Sequence, residues 1–343
     1  MAPPSRMEGF REGRGWGRIP PVLLHGGSEK VRTLFKYYSG LDKKYFIKPT
    51  IKISNATTLN DPFEKIVPED LMRCSFEIMS ESLALRGFKI ADKEVALAIN
   101  TVNFLNLIRR IGVVSLTETP RNLLMWSHYA NNHKGICIGY KSDLLDHHKH
   151  REHQLLPTEF TPIKVNYDDI RYDKNTDNID YLEAIKLRKE ILKRSLLKKS
   201  NDWLYEKEYR SIIPLEYNDQ ITCINGATAD KYVKKYPKTQ KINNTDFKIM
   251  HPASISTSPI YDEVDLMFTL SIQHKSIEYI YFGCESDLLK NMRIFHQIRK
   301  INALSHVKIF QMEANKNRFE LNSILFEEYL EKIKQARSIR HEE

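Results

Sequence analysis

The sequence predicts an α+β fold with a mixed or antiparallel sheet core and helical insertions. Short runs of β-branched and aromatic residues, which are typical of strands, are mixed irregularly with segments of helical periodicity. This order lacks the regular βαβ repeat that a doubly wound parallel sheet requires. Apolar residues make up 41% and charged residues 28% of the 343 residues, a balance that is usual for globular proteins with a sizeable core.

The first predicted elements follow from composition and from helix-start signals. Residues 31–38 are rich in aromatic and β-branched side chains and predict a strand. Two helices are predicted at 68–86 and 92–110, and the first begins with Pro68 followed by two acids. In the second, apolar residues recur at three- and four-residue steps, as in an amphipathic helix: Val95, Ile99, Val102, Leu105 and Ile108.

The rest of the chain continues the same mixture of strands and helices. The predicted order is a strand at 111–116, a helical turn at 123–130, a strand at 135–140, a polar loop at 141–160, a strand at 163–167, a basic helix at 183–199, a strand at 203–214, a polar insertion at 218–258, strands at 278–283 and 307–311 on either side of a helix at 286–302, and a terminal helix at 321–339.

A segment rich in Gly and Pro, residues 1–30, precedes these elements. Six of the 13 glycines and four of the 14 prolines lie in its first 28 residues, a composition that predicts a flexible tail. Its glycines follow no predicted strand and precede no predicted helix, so they form neither a dinucleotide fingerprint nor a P-loop. Residues 31–343 are expected to form a single α+β domain.

Histidines and cysteines give little support for a metal site. Four of the 12 histidines lie in the polar loop, but no cysteine or second cluster is near them in sequence: His147, His148, His150 and His153. We therefore favour a solvated loop over a zinc site and predict no metal. The four cysteines are too far apart for a disulfide scaffold, and no apolar run would span a bilayer, so we expect a cytoplasmic protein without a membrane partner.

An excess of positive charge suggests a polyanionic partner. Lys and Arg total 53 against 44 Asp and Glu, which gives a net charge of +9. Such a surface attracts nucleic acid, although a solvated basic surface is the simpler explanation. The strongest candidates for phosphate contacts lie on the predicted basic helix: Lys193, Arg194, Lys198 and Lys199.

Two glutamates, Glu206 and Glu208, form the most distinctive pair of charges. In a strand, residues two apart point to the same face, so two carboxylates would lie side by side. Either they are solvated beside Lys207 and Arg210, or they form a paired-acid site in which the two carboxyls have different tasks. We expect both to be partly accessible, because two buried like charges would raise one pKa strongly.

Several segments together resemble a known family. They read LFKYYS at 34–39, TLNDPFE at 58–64, SLTETPRNLLMWSHYANNHKGICIGY at 115–140 and WLYEKEYRSI at 203–212. In this order they resemble domain-of-unknown-function family 2971, and the later segments IEYIYFGCES, VKIFQME and RFELN extend the similarity to about residue 325.

That family in turn resembles a distant ADP-ribosyltransferase-type fold. The resemblance implies NAD as a substrate, Glu208 as the catalytic residue and Glu206 as its substrate-side partner. Lys36 stands where related sequences often carry His. The residues implied to bind the cofactor are Lys36, Tyr37, Asn60, Ser115, Trp126 and Tyr129.

The resemblance also implies a toxin or defence effector that modifies RNA or DNA and has a neutralising antitoxin protein as a partner. Two other functions stay open. A metal-dependent nuclease would use acids such as Asp246 with Lys248, and a non-enzymatic nucleic-acid-binding module would need only the basic surface. On the transferase hypothesis, Lys36, Glu208 and either Ser115 or Tyr129 should line one pocket.

Overall fold

The chain has an α+β architecture built on one large, mostly antiparallel sheet, as the sequence predicts. The computed structural model describes residues 32–173, 184–250, 255–263 and 265–342. The chain divides into two units, Met1–Lys30 and Val31–Glu343, and every described residue belongs to the second. The predicted flexible tail at 1–30 lies outside the described residues.

The described residues form fifteen strands and seven α-helices, joined by turns and short 3₁₀ helices. The strands are β1 (Thr33–Tyr38), β2 (Thr50–Asn55), β3 (Ile111–Thr117), β4 (Ile136–Lys141), β5 (Glu159–Lys164), β6 (Asn166–Tyr167), β7 (Lys198–Lys199), β8 (Glu208–Pro214), β9 (Gln220–Cys223), β10 (Thr239–Lys241), β11 (Asp246–Ile249), β12 (Leu266–Ser271), β13 (Ile277–Phe282), β14 (Lys308–Ala314) and β15 (Leu321–Leu325). The helices are α1 (Glu69–Leu85), α2 (Lys93–Ile108), α3 (Leu123–Tyr129), α4 (Ala184–Leu196), α5 (Gly226–Lys235), α6 (Leu288–Arg299) and α7 (Phe326–Glu342). None of the described helices has the length and apolar character needed to cross a membrane.

Thirteen of the strands form one sheet, and β3 is its branch point. The strand order is β10-β11-β9-β12-β2-β3-β1-β4-β13-β14-β15, and β8 pairs with both β3 and β5. Within this sheet only β13 and β14 pair in parallel, and β6 and β7 form a separate parallel pair. Along β3, β2 pairs at Gly112 and Val113 whereas β1 pairs at Thr117. Strands β1 and β2 therefore separate beside the middle of β3.

Gly112 allows the close approach of β2 to β3. A Cβ atom at this position would lie 2.0 Å from Ile53 Cγ2 and 2.8 Å from Leu215 Cδ2, far inside van der Waals contact. A larger residue would push the strands apart at the point where the sheet branches.

The hydrophobic core follows the alternation of the strands. In β1, Leu34 belongs to the largest apolar cluster, while Phe35 and Tyr37 pack with Trp126 in a smaller one, because successive side chains point to opposite faces. A third cluster joins three helices to β3 and β8: Leu71 of α1, Phe104 of α2, Ile191 of α4, Ile111 and Ile212.

The prediction of a polar insertion at 218–258 is wrong as far as residue 250. This segment contributes β9, β10 and β11 to the sheet and packs α5 beside them. Ile221, Tyr232 and Phe247 are at most 1% exposed. The segment reads as polar because only every second strand residue faces the core, and Lys, Asn and Thr occupy the remaining positions.

Two other predicted elements have different limits in the structure. The predicted strand at 203–214 begins only at Glu208, after a 3₁₀ helix over Asn201–Glu206. The predicted terminal helix at 321–339 begins at Phe326, because residues 321–325 pair with β14. Strands β2 and β12 were not predicted at all. Both are held by partners distant in sequence, and local pattern carries little information about such pairing.

The loop with four histidines is not simply solvated. His148 is 4% exposed, and its Nε2 atom lies 3.0 Å from the carbonyl oxygen of Ser271. His153 contacts the buried Glu216 at 2.8 Å. These contacts attach the loop to the sheet. The described residues contain no group of three or more His, Cys, Asp or Glu side chains placed to hold a metal ion.

We expect Phe247→Ala to lower the free energy of unfolding by about 3–5 kcal/mol, because its ring is fully buried in the core. Ile242→Ala is a matched control in the same segment, since Ile242 is 49% exposed, and it should cost about 0.5 kcal/mol or less. Denaturant titration measures both. Equally small losses would show that this segment does not belong to the folded core.

Candidate functional site

A cleft of about 710 Å³ lies where β1 and β2 separate beside β3. Its walls come from these strands, from α3 and from the start of β8. A volume of this size is usual for a small-molecule site. The charged and polar side chains around it come from distant parts of the sequence: Lys36, Lys52, Asn60, Glu64, Ser115, His128, Tyr129, Lys199, Glu206, Glu208 and Arg210.

Lys36 occupies the gap between the two separating strands. None of the described strands pairs with β3 on that edge between Val113 and Thr117. The Lys36 Nζ atom donates a hydrogen bond to the carbonyl oxygen of Ser115 in this gap, at 2.9 Å. The ammonium group thus takes the place of a strand hydrogen bond and is held at the wall of the cleft.

The charge of Lys36 is sensitive to its surroundings. Burial and the nearby Lys52 ammonium lower the pKa of Lys36 to about 8, although the Glu208 carboxylate acts in the opposite direction. At pH 7 the group is still mostly protonated. Because Nζ bonds to a neutral carbonyl and not to a carboxylate, its positive charge remains available to an anionic ligand.

Glu206 and Glu208 are brought together by a different backbone geometry from the predicted one. Glu206 ends the 3₁₀ helix, Lys207 adopts a left-handed conformation with φ of 45°, and Glu208 begins β8. The two glutamates are therefore not successive same-face residues of one strand. The turn at Lys207 nevertheless brings both carboxylates to Lys199.

Five charged side chains alternate in sign through the deep end of the cleft, and we call them the buried charge cluster. Lys199 Nζ lies 2.6 Å from Glu206 and 3.3 Å from Glu208. Arg210 donates to both oxygens of Glu208 at 2.8 Å and also pairs with Glu64. Each of the five is at most 6% exposed. Buried charges are tolerated only when they are paired in this way.

Both predicted acids are buried, so the expectation of partial accessibility is wrong. Glu206 and Glu208 are each 4% exposed. Burial and the neighbouring Glu208 raise the pKa of Glu206, and Lys199 only partly opposes them. Burial would also raise the pKa of Glu208, but Arg210 and Lys199 outweigh it and hold that pKa at about 2. The two cations make the burial of both acids possible.

The buried charge cluster contains three carboxylates but only two cations. When all five are ionised, one negative charge is in excess. Glu208 receives two hydrogen bonds from Arg210 and one from Lys199, which occupy most of the roughly four acceptor positions of a carboxylate. Glu64 differs, because its Oε2 atom is buried without a hydrogen-bond partner among the described residues. This oxygen can accept a hydrogen bond from a ligand.

Tyr129 connects the cluster to the opposite wall of the cleft. Its hydroxyl donates to Glu206 Oε1 at 2.6 Å and accepts from Asn60 Nδ2 at 3.1 Å. Burial and the Glu206 carboxylate raise the pKa of Tyr129, so the hydroxyl stays protonated as a donor. Asp61, next to Asn60, caps the short helix that carries Glu64, so the Asn-Asp-Pro turn positions two side chains of the site.

Two of the predicted cofactor-binding residues are placed differently from the rest. Trp126 is wholly buried, donates its indole N–H to the carbonyl of Pro120 and does not line the cleft, so its prediction as a cofactor contact is wrong. Tyr37 borders the cleft, but its ring packs edge-on against Trp126 at 5.1 Å and its hydroxyl donates to Thr119. It is not placed to stack on a ligand.

The predicted nucleic-acid-binding residues do not form an open basic surface. Helix α4 ends at Leu196, so Lys198 and Lys199 lie on β7 and not on the predicted helix at 183–199. Lys199 is buried in the charge cluster and cannot reach a phosphate backbone. The other three are each beside a carboxylate: Lys193 with Glu159 at 2.5 Å, Arg194 with Glu190 at 2.7 Å and Lys198 with Asp168 at 3.3 Å.

Sequence reasoning missed Glu64, Lys52 and Arg210 as members of the site. Glu64 and Arg210 lie within quoted motif segments, but nothing local indicates that they form an ion pair across 146 residues. Arg210 has a usable signal, since a charged residue among the apolar residues of a strand requires a buried partner. Lys52 could not be found because β2 was not predicted.

We expect Arg210→Met to cost about 3–5 kcal/mol of stability, because it leaves Glu64 as a buried carboxylate without its cation and Glu208 with Lys199 alone. The double variant Arg210→Met with Glu208→Gln should regain part of this loss. Arg73→Met is the control, since its ion pair with Glu69 is exposed and is worth about 1 kcal/mol at most. Chemical denaturation at pH 7 that gives equal losses for Arg210→Met and Arg73→Met would contradict the account of the cluster.

Comparison with known proteins agrees, over part of the chain, with the resemblance to the domain-of-unknown-function family. No curated protein and no solved structure matches the chain. Residues 125–211, which include most of α3, all of α4 and the Glu206–Glu208 segment, match the model of a family described as Protein of unknown function (DUF2971).

Proposed function

We propose that the cleft binds NAD and that the protein is an ADP-ribosyltransferase-like enzyme that transfers ADP-ribose to a nucleic-acid acceptor, either RNA or DNA. The charge pattern of the cleft carries this proposal. The cleft is lined by both signs of charge, the three carboxylates of the buried charge cluster and the ammonium groups of Lys36 on β1 and Lys52 on β2. NAD has a matching pattern, since its nicotinamide ring is cationic and its pyrophosphate is anionic.

The charges of these residues favour one orientation of the dinucleotide. Lys36 and Lys52 are suited to the pyrophosphate oxygens, because both can present ammonium donors to an anion. The excess negative charge of the cluster suits the nicotinamide ribose. Glu64 Oε2 is the free acceptor for a ribose hydroxyl, a role for which Glu208 is less suited because most of its acceptor positions are filled.

The proposed reaction breaks the bond between ribose C1 and the nicotinamide nitrogen. The electron pair of that bond leaves with nicotinamide, which becomes neutral, and positive charge develops on the ribose. Glu208 has a pKa of about 2 and so carries its negative charge at any physiological pH, which stabilises the developing charge. The acceptor atom then bonds to C1 and gives up its proton.

Glu206 is the better proton acceptor of the two glutamates. Its raised pKa makes it a stronger base than Glu208, and Tyr129 holds one of its oxygens in position.

Assignment of the acceptor as nucleic acid is supported by the net charge of +9 and not by any single basic patch.

The two other hypotheses have less support from the geometry. Asp246 and Lys248, the residues considered for a nuclease, lie on β11 near one end of the sheet, outside the cleft. A binding module without catalysis would not need a buried charge cluster beside an open cleft, and such clusters are costly to maintain.

The test of the proposal is incubation of the protein with NAD labelled in its adenylate phosphate, together with RNA, DNA and protein pools. We expect release of nicotinamide and entry of label into a nucleic-acid pool. Folded protein that releases no nicotinamide and labels no pool would overturn the transferase proposal. Nucleic-acid binding without consumption of NAD would favour the binding module instead.

We expect Glu208→Gln to lower nicotinamide release roughly 10²–10³-fold, or about 3–4 kcal/mol, because it removes a fixed charge that acts on the transition state. Glu216→Gln is a matched control, because Glu216 is also buried and paired with a cation, Arg110, but lies outside the cleft. It should leave turnover nearly unchanged. A folded Glu208→Gln protein with full turnover would contradict the assignment.

Glu206→Gln should separate the two half-reactions. Because Glu206 is assigned to the acceptor proton, its loss should reduce label transfer to the acceptor more than hydrolysis of NAD. The measured quantity is the ratio of transferred label to released nicotinamide. An unchanged ratio would mean that Glu206 does not act on the acceptor.

The affinity for NAD should fall as the pH rises from 7 to 9. Lys36 has a pKa of about 8, so its charge is present below that pH and is lost above it. If only the protonated form binds the pyrophosphate, the dissociation constant should rise about tenfold over this range. Lys36→Arg keeps its charge and should remove most of the pH dependence, as calorimetric titration would show. The same pH dependence in both proteins would exclude Lys36 as its source.

A further inference from the structure

The apolar stripe of α2 faces solvent. Four of the five residues that mark it as amphipathic are exposed: Val95 by 54%, Ile99 by 57%, Val102 by 56% and Leu105 by 37%. Only Ile108 is buried. They follow one another at steps of four, three and three residues, so they form a continuous ridge along about 15 Å of helix.

The opposite side of α2 already supplies the contact with the core. Asn100, Phe104 and Ile108 are buried, and Phe104 and Ile108 belong to the cluster that packs against β3 and β8. The helix is therefore apolar on two sides, whereas a helix at a protein surface normally has one apolar and one polar side. An exposed apolar ridge of this kind marks an interaction surface.

The charges at the two ends of α2 determine what fits the ridge. Asp92 caps the amino-terminal end, and Glu94 lies in the first turn, while Arg109 caps the carboxy-terminal end. An antiparallel partner helix with the same sequence would put acid against base at both ends. When the two helices are aligned about a point between residues 100 and 101, Ile99 of one copy lies opposite Val102 of the other. In the same register Asp92 lies opposite Arg109.

We propose that α2 is the centre of a two-fold symmetric interface between two copies of this chain. In such an interface the same patch meets itself, so the apolar pairs and the charge pairs each occur twice. A parallel arrangement would place like charges together at each end. An anionic lipid surface fits less well, because Asp92 and Glu94 flank the amino-terminal end of the ridge while Lys93, between them, lies on the opposite side of the helix.

The ends of the ridge extend the match beyond one helix. Phe88, in the loop before α2, is 65% exposed. At the other end of α2, an open cavity of about 460 Å³ is lined by Leu105, Ile108 and Arg109 together with Thr57, Lys65 and Asp262. Rotation about the proposed two-fold axis brings the loop that contains Phe88 in one copy toward this cavity in the other copy. Contacts at both ends help the interface approach the roughly 800 Å² per partner of a stable complex.

Sedimentation velocity of the full chain from 1 to 100 µM tests the proposal without any assumption about NAD. We expect a reversible dimer whose dissociation constant rises at least about 100-fold in Ile99→Glu, since two unpaired carboxylates would be buried near the axis. Ile224→Glu is the matched control, because Ile224 is 86% exposed in the loop before α5 and should leave the dimer intact. Both variants should keep wild-type stability, because surface changes cost little.

A further variant, Asp92→Asn, keeps the helix cap but removes the negative charge. It should raise the dissociation constant of the dimer more at low salt than at high salt. A wild-type chain that remains monomeric up to 100 µM would overturn the proposal. A dimer that Ile99→Glu leaves unchanged, or that Ile224→Glu weakens equally, would place the interface elsewhere and would also overturn it.

Discussion

The ion pair between Arg210 and Glu208 is the interaction on which the candidate site depends. Arg210 is 1% exposed and ties β8 to the short helix that carries Glu64, 146 residues earlier in the chain. Because Arg210 and Lys199 neutralise their neighbours, three glutamates can be buried at the deep end of one cleft. Removal of either cation would leave carboxylates for which burial is unfavourable.

The same cations give the two central glutamates different properties. Glu208 is held in its ionised form, while burial and the charge of Glu208 raise the pKa of Glu206. Two carboxyls of the same type thereby become suited to different tasks, one as a permanent charge and one as a group that exchanges a proton. The branching of the sheet at β3 completes the cleft, because it leaves the gap in which Lys36 lies.

Much of the secondary structure around the site could be predicted from local sequence, but the burial of the charged side chains could not. The fold class, β1, β4 and helices α1, α2 and α6 follow from patterns of adjacent residues. Strand β2 and the Arg210–Glu64 pair depend on contacts distant in sequence, and local sequence does not identify the partners. The polar composition of residues 218–250 gave no indication of the three strands that this segment forms. The apolar spacing in α2 correctly predicts a helix, but it does not show that this apolar side faces solvent.

The protonation states of Glu206 and Glu208 test the central claim most directly, because the division of roles rests on them. Carbon-13 NMR of side-chain carboxyls, assigned with Glu206→Gln and Glu208→Gln, would follow both groups between pH 3 and 8. The account predicts that Glu208 stays ionised throughout, consistent with a pKa of about 2, and that Glu206 titrates above its ordinary value of 4.5. Ordinary titration of both groups near pH 4.5 would contradict it, because neither burial nor the two cations would then control these carboxyls.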